Sequence, residues 1–431
     1  MLIDVGHCLI IGVGGIRFMD TLNAQIRELR KVSGLSQTTF AEKFEIPTST
    51  LQDWEHNRRT PPIYVVGMIN KLLETERKTK QNKGNSILNK AKSAKDNDEF
   101  YTTYETVENE VAHYVKEFKG KTVLCNCDDP FESSFSKYFI KNFNTLGLKG
   151  LICTSYCASR VLGTNSNLVD MQGEPLSNDN GYVMVLSKVS KDINANSTDE
   201  EVHEFLLSQK SVRKLVGDGD FRSDECVEYL KLADVIVTNP PFSLFRELIS
   251  LVTEYEKQFL VIGNQNAITY KEIFPLIQEN KAWIGYQFGD MAFRVPDDSE
   301  PRETRFWIDS TGQKWRSLGN AMWLTNMDMN RRHERLELTH FYNSETYPRY
   351  DEYDAIEVSK VANIPQDYDG VMGVPITFLN KYNPDQFEII GEANHGSDNS
   401  FDLFKPTING KLKFKRILIR NKIPMGAMIN G

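Results

Sequence analysis

Val235-Ile236-Val237-Thr238-Asn239-Pro240-Pro241-Phe242 is the stretch on which the fold turns. Its first four residues are β-branched, the composition of a short buried strand. The prolines end the run, because neither can donate to a strand ladder. Runs of the same kind are Thr122-Val123-Leu124-Cys125, Leu148 to Cys153, Tyr182 to Leu186, and Phe259-Leu260-Val261-Ile262, with helical patterns between them. This alternation over residues 96–280 predicts an α/β core, a mostly parallel sheet with helices on both faces. Ligands of such sheets bind beyond the carboxyl ends of the strands. The residues directly after each run are therefore the candidate site residues.

Asn239-Pro240-Pro241-Phe242 follows its strand immediately and suits one chemistry. An amino group on an aromatic ring or an amide shares its lone pair with the π-system and is a poor nucleophile. Two acceptors gripping its hydrogens, the Asn239 side-chain oxygen and the Pro240 carbonyl, bias the nitrogen toward tetrahedral geometry and free the lone pair. Pro241 keeps the turn rigid and adds no competing N–H. Phe242 offers a face on which an extruded base can stack.

The tetrapeptide resembles the D/N/S-P-P-Y/F/W motif of N6-adenine methyltransferases dependent on S-adenosyl-L-methionine. The resemblance implies a Rossmann-like methyltransferase core with Asn239, Pro240, Pro241 and Phe242 as catalytic residues and double-stranded DNA as substrate. By it, Asp220 and Phe221 of Asp218-Gly219-Asp220-Phe221 hold the cofactor's adenine, and Tyr101 and Thr102 of Asp98-Glu99-Phe100-Tyr101-Thr102 close over its methionine end. Val123-Leu124-Cys125-Asn126-Cys127-Asp128-Asp129-Pro130 stands where the family's first cofactor motif belongs, so the order is the gamma arrangement. That motif is usually a glycine-rich F-x-G-x-G. Cys-Asn-Cys-Asp-Asp-Pro in its place is similar to the EcoRI-methylase-like branch, and leaves Asp128 and Asp129 either to bind cofactor or to set the turn and cap the next helix. No ribose partner is assigned: the second strand ends in Cys153-Thr154-Ser155-Tyr156. Likeness to the branch continues through Gly319 to Asn326, Asp369 to Leu379 and Lys415 to Arg420.

Upstream, Leu22 to Glu76 reads as a small all-α domain within 19–76. Ile26, Leu29 and Val32 make one stripe, Phe40, Ala41 and Phe44 a second, Leu51 and Trp54 a third, and Val65, Met68, Ile69 and Leu72 a fourth, with Ser36 and Thr48 as N-caps. Leu35 to Ala41 and Pro47 to Glu55 resemble the Cro/repressor-like (Xre) helix-turn-helix family. This implies that the helix from Thr48 enters the major groove, with Ser49 and Gln52 at base edges, Gln37 on a phosphate and Arg58 and Arg59 steadying the backbone. The domain either targets the enzyme or represses its own gene.

Residues 77–95, RKTKQNKGNSILNKAKSAK, are a basic linker. From 281 to 431 aromatics interleave with cations, among them Trp283, Tyr286, Phe293, Arg294, Trp307, Trp315 and Arg316. This composition and the acid-free tail from Lys405 suit an α+β target-recognition region with a second basic patch. Residues 1–18 carry Asp4 and no cation ahead of their apolar run, against a secretory signal. They are expected to be a leader of no function, with translation starting at Met19.

A length of 431 predicts two or three units, and 40% hydrophobic with 26% charged residues excludes the membrane and fibrous classes. The six cysteines, at spacings unlike zinc clips, fit a reduced cytoplasmic chain with no metal site. The net charge of −8 excludes a uniformly basic surface only: residues 23–95 hold about 14 cations against about 7 acids. A cognate restriction endonuclease is a possible partner, and the oligomeric state is open. Two rivals fit the same residues: a transcriptional regulator with an inactive methylase half, and methylation of RNA or of a protein amide.

Overall fold

The computed structural model describes residues 21–33, 35–44, 46–62, 65–69, 100–157, 180–209, 211–295, 299–301, 303–393 and 406–425. The expected leader, the basic linker, Leu72, Asp98 and Glu99 lie outside the described residues. The chain divides into two compact units, Met1–Asn97 and Asp98–Gly431.

In the first unit, α1 (Leu22–Ser33), α2 (Gln37–Lys43) and α3 (Thr48–Glu55) pack with a helical turn over 65–69. Ile26, Leu29, Phe40, Ala41, Leu51, Trp54, Val66 and Ile69 form the core. Met68, expected inside, is 55% exposed. Val66 and Ile69 are three apart and share the inner face, which leaves Met68 outside it. Ser36 caps α2, accepting from the Thr39 N–H at 3.2 Å. Thr48 does not cap α3: it is the first helical residue, and the Pro47 carbonyl takes the Thr50 and Leu51 N–H groups at 2.9 and 3.1 Å. The three helices meet at the buried Glu55, which accepts from Arg30 at 2.6 Å and from Gln37. Burial opposes its charge, but the hydrogen bonds from Arg30 and Gln37 and the charges of Arg30 and Arg27 hold it below the usual carboxylate range.

The second unit is built on β2 (Thr122–Cys125), β3 (Gly150–Ser155), β6 (Val235–Thr238) and β7 (Gln258–Asn264), which run parallel in the order β7-β6-β2-β3. β3 starts at Gly150 and not Leu148, because Leu148 turns back onto the Phe143 carbonyl before pairing begins. Beyond β3 come β4 (Tyr182–Leu186) and β5 (Val212–Lys214), each antiparallel to its neighbour. The sheet does not end at residue 280. β8 (Trp283–Arg294) and β10 (Lys314–Thr325) extend it beside β7, with β1 (Tyr101–Thr102) on β8 and β9 (Phe306–Ile308) on β10. Their aromatic and cationic content disguises two long strands whose inner ends are as apolar as the rest.

Strand neighbours feed opposite cores, which is why the runs read as continuously apolar. Val123, Leu151, Val235, Val237, Leu260 and Trp323 face α4 (Tyr104–Val111), α5 (Ser134–Lys141) and α6 (Asp199–Gln209). Leu124, Ile152, Ile236, Val261 and Met322 face α7 (Asp224–Leu232) and α8 (Phe245–Glu254). The second core is completed by a further sheet, β11 (Ala355–Glu357), β12 (Val371–Val374), β13 (Phe387–Ala393) and β16 (Arg416–Asn421), ordered β11-β12-β16-β13. A small hairpin, β14 (Thr407–Ile408) with β15 (Lys411–Leu412), lies between β13 and β16 in the chain. In the basic tail Lys411, Lys415, Arg420 and Lys422 are exposed. Arg416 is part-buried in an ion pair with Glu357, and Arg420 pairs with Glu388 at 3.4 Å. Among the described residues, no helix is long and apolar enough to cross a membrane.

Candidate active site at the carboxyl ends of the strands

Asn239 leaves β6 with its side chain pinned at one end. Its Nδ2 donates to the Phe100 carbonyl at 2.7 Å and to Thr102 Oγ1 at 3.1 Å. A carbonyl can only accept, so these bonds fix which end of the amide is nitrogen. The other end, Oδ1, is buried and without a partner. Pro240 is buried and Pro241 exposed, and the half-buried Phe242 ring stacks on Phe100 at 5.5 Å. Phe100 also packs edge-on against Phe293, with the Arg316 guanidinium 5.1 Å from its ring centre.

Asp128 lies under this loop, 6% exposed. It accepts from Thr238 Oγ1 at 2.6 Å, from Ser133 Oγ at 2.7 Å and from the Asn239 backbone N–H. Burial pushes its pKa up to about 7 against the pull of these bonds. Asp129 accepts from the Phe131 N–H at 2.8 Å, the Glu132 N–H at 3.3 Å and the Tyr182 hydroxyl. These bonds set the turn after β2 and brace it to β6 and β4.

Buried atoms without partners mark where a ligand fits. Among the described residues, Asn126 Nδ2, Thr154 Oγ1, Ser155 Oγ and Asn239 Oδ1 are all of this kind. They sit at the carboxyl ends of β2, β3 and β6, neighbours in the sheet. Natural folds seldom leave such groups unsatisfied. The β5 loop closes beside them: a Cβ on Gly219, where φ is +83°, would lie 2.1 Å from the Ser155 carbonyl oxygen.

Asp220 is half-exposed with its carboxylate held by its near neighbour Arg222, whose own pKa that bond raises. Phe221 is only 4% exposed and belongs to the second core, so its ring does not stand open as the expected platform. Tyr101 and Thr102 point to opposite faces of β1, Thr102 inward to Asn239 and Tyr101 outward at 41% exposure. Phe100, Asn126 and Thr238 were missed in the sequence. Their one signal was position, each lying at a strand end or beside a named residue.

In the first unit Ser49 and Gln52 are exposed one turn apart on α3. Gln37 is half-buried and donates through Nε2 to Glu55. Arg58 and Arg59 are exposed, 3.6 and 3.7 Å from Asp53. The described cysteines form no disulfide with one another, and Cys125, Cys153 and Cys226 are buried.

Residues 87–422 match the family model described as adenine-specific methyltransferase EcoRI, and residues 26–77 match the helix-turn-helix model. The type II methyltransferase M.EcoRI of Escherichia coli is 46% identical over 346 residues, 79% of this chain and 98% of its own length. M.MgeORF184P of Mycoplasma genitalium is 36% identical over 78% of the chain and 98% of its own length. M.MpnI of Mycoplasma pneumoniae is 38% identical over 70% and 84%. No solved structure gives a significant match. These matches place the chain in the EcoRI family of adenine-specific methyltransferases, with a helix-turn-helix domain ahead of it.

Proposed function

We propose that the chain transfers a methyl group to N6 of an adenine extruded from duplex DNA, with Asn239, Pro240, Pro241 and Phe242 as its catalytic residues. The observation that carries this is the Asn239 amide: anchored through Nδ2, it presents a desolvated Oδ1 that no protein group satisfies. That oxygen and the Pro240 carbonyl take the two amino hydrogens of the base, turning the lone pair out of the ring plane. Phe242, braced by Phe100, holds the base plane. S-adenosyl-L-methionine, when bound, supplies an electrophilic methyl on a sulfonium. The chain orients the nucleophile in line with it and excludes water; the amine loses its proton after attack, so no strong base is required.

Asn126, Thr154 and Ser155, with unsatisfied groups at the strand ends, are the residues we assign to the cofactor beside Asp220 and Thr102. The order β5-β4-β3-β2-β6-β7-β10-β8, with β10 antiparallel between β7 and β8, supports a Rossmann-like methyltransferase sheet. The segment after β10 then serves target recognition. Ser49 and Gln52 read base edges from α3, with Arg58 and Arg59 on the backbone. The relatives' type II designation supports a place beside a cognate restriction endonuclease, in the cytoplasm with the DNA. Tritiated methyl transfer to adenine-unmethylated genomic DNA, followed by chromatography of the nucleosides, tests the reading. Label in N6-methyladenine, abolished in Asn239→Ala, is the expected result; label in no base, or full activity of the variant, refutes it.

A further inference from the structure

One row of side chains crosses four strands. The register pairs Tyr101 of β1 with Arg294 of β8, Arg294 with Trp315 of β10, and Trp315 with Trp307 of β9. Directly paired residues project from the same face, so these four form a ladder. Trp307 and Trp315 stack with ring centres 6.1 Å apart and planes 3° from parallel. The Arg294 guanidinium lies 5.6 Å from the centre of the Trp315 ring. Tyr101 and Trp307 are each 41% exposed, and Arg294 is exposed with no ion pair among the described residues. Of the described acids near the row, Asp290 takes Arg305 at 3.0 Å and the Ser317 hydroxyl, and Asp309 takes the Trp315 indole N–H at 2.8 Å.

An exposed tryptophan stack on an edge strand is a liability unless something covers it. An exposed arginine between aromatics suits an anionic, stacking partner. The ladder starts one residue from Thr102, which holds Asn239. Three strand spacings carry it about 14 Å outward, about the length of four stacked nucleotides at roughly 3.4 Å each. We propose that this row is a track for the DNA strand flanking the extruded adenine: bases lie against Trp307, Trp315 and Tyr101, and Arg294 takes a backbone phosphate. The assignment rests on the DNA-methyltransferase reading above.

The full chain tests it, with tritiated S-adenosyl-L-methionine and adenine-unmethylated genomic DNA as the probe. Trp307→Ala raises the KM for DNA about 5- to 150-fold, the range for one lost base–aromatic stack. The loss falls on KM rather than kcat, Trp307→Phe restores most of it, and cofactor affinity by calorimetry is unchanged. Independently, Arg294→Gln lowers the slope of log affinity against log salt by about one. A KM within twofold of wild type for Trp307→Ala, with an unchanged salt slope for Arg294→Gln, overturns the proposal. So does an altered oligomeric state in Trp307→Ala at unchanged KM, which assigns the row to a protein interface. A wild-type chain that methylates no DNA overturns the functional reading and the row with it, whereas an active wild type with unaffected variants overturns the row alone.

Discussion

Asn239→Asp separates the two ends of the amide to which we assign the catalytic grip. Aspartate stands at this position in other members of the wider motif, D/N/S-P-P-Y/F/W, yet here it should fail at neutral pH. The nitrogen it removes donates to the Phe100 carbonyl at 2.7 Å and to Thr102 at 3.1 Å. A carboxylate oxygen in that place sets lone pair against lone pair and leaves the Phe100 carbonyl unpaired. Two lost hydrogen bonds, at about 1–2 kcal/mol each with the desolvation of the groups left behind, come to about 2–4 kcal/mol. If that strain swings Oδ1 away from the base, transfer slows about 30- to 1,000-fold. The sign with pH is fixed. Burial and the facing carbonyl both favour the neutral carboxyl, so its pKa rises; once protonated it donates to Phe100 as the amide did. The ratio of variant to wild-type rate should therefore climb as pH falls from about 8 toward 6. Single-turnover methyl transfer at saturating DNA reads this ratio free of binding effects. A variant that matches wild type at pH 8, or a ratio flat with pH, refutes the claim that the Phe100 anchor aims the acceptor.

Three further outcomes follow from the same geometry. Asp128 has a folded pKa raised by burial from 3.8 to about 7, so its contribution is fully present below about pH 4 and is lost as pH rises through 7, about 4 kcal/mol in all. Asp128→Asn has no proton to lose. Its urea-unfolding free energy should gain on wild type by about that amount between pH 4 and 8, and a difference constant with pH rejects the idea. Gly219→Ala forces a Cβ to 2.1 Å from the Ser155 carbonyl at a φ of +83°; a thermal midpoint equal to wild type would contradict the close crossing, since strain above about 2 kcal/mol is expected. Arg30→Ala strands the Glu55 charge, whose side chain is 5% exposed, and should cost the small unit about 3 kcal/mol. Hydrogen exchange of the α1–α3 amides would show it, and unchanged protection would mean that Glu55 finds other partners.

The parallel strands were legible because their apolar runs carry no other message. Val235 to Thr238 and Thr122 to Cys125 begin and end where the pattern says. β8 and β10 were not. Their outer halves hold Arg294, Lys314, Trp315 and Arg316, the composition of a binding surface, interleaved with the buried Met291 and Phe293, while Ile284, Met322 and Leu324 at the inner ends show the core. A strand half buried and half presented to a partner has no single period, so composition assigned it to recognition rather than to the sheet. One pairing in the tail was illegible for a different reason. Arg416 reads as surface charge, but its partner Glu357 is 59 residues away in sequence, and no local pattern announces a pair of that separation. Asn239 was readable by type and position; that Phe100 holds it was not, since 139 residues separate them.

The departure from a glycine-rich cofactor loop now has a physical account. Glycines let a loop turn tightly and bring bare backbone to a ligand. In Cys125-Asn126-Cys127-Asp128-Asp129-Pro130 the turn is instead made by side chains: Asp129 takes the Phe131 and Glu132 N–H groups, and Asp128 is clasped by Ser133 and Thr238. These bonds give both acids a structural task in the turn. They also tie the loop after β2 directly to Asn239, since Thr238 precedes it and its own N–H reaches Asp128. What is left unsatisfied is the neutral set Asn126, Thr154 and Ser155. A cofactor with a positive sulfonium, held here, would rely on amide and hydroxyl contacts for grip, while the one deep carboxylate near it, at a pKa of about 7, serves the catalytic loop. On this arrangement the acids act on catalysis by positioning, and their removal should disturb the aim of Asn239 before it disturbs cofactor affinity.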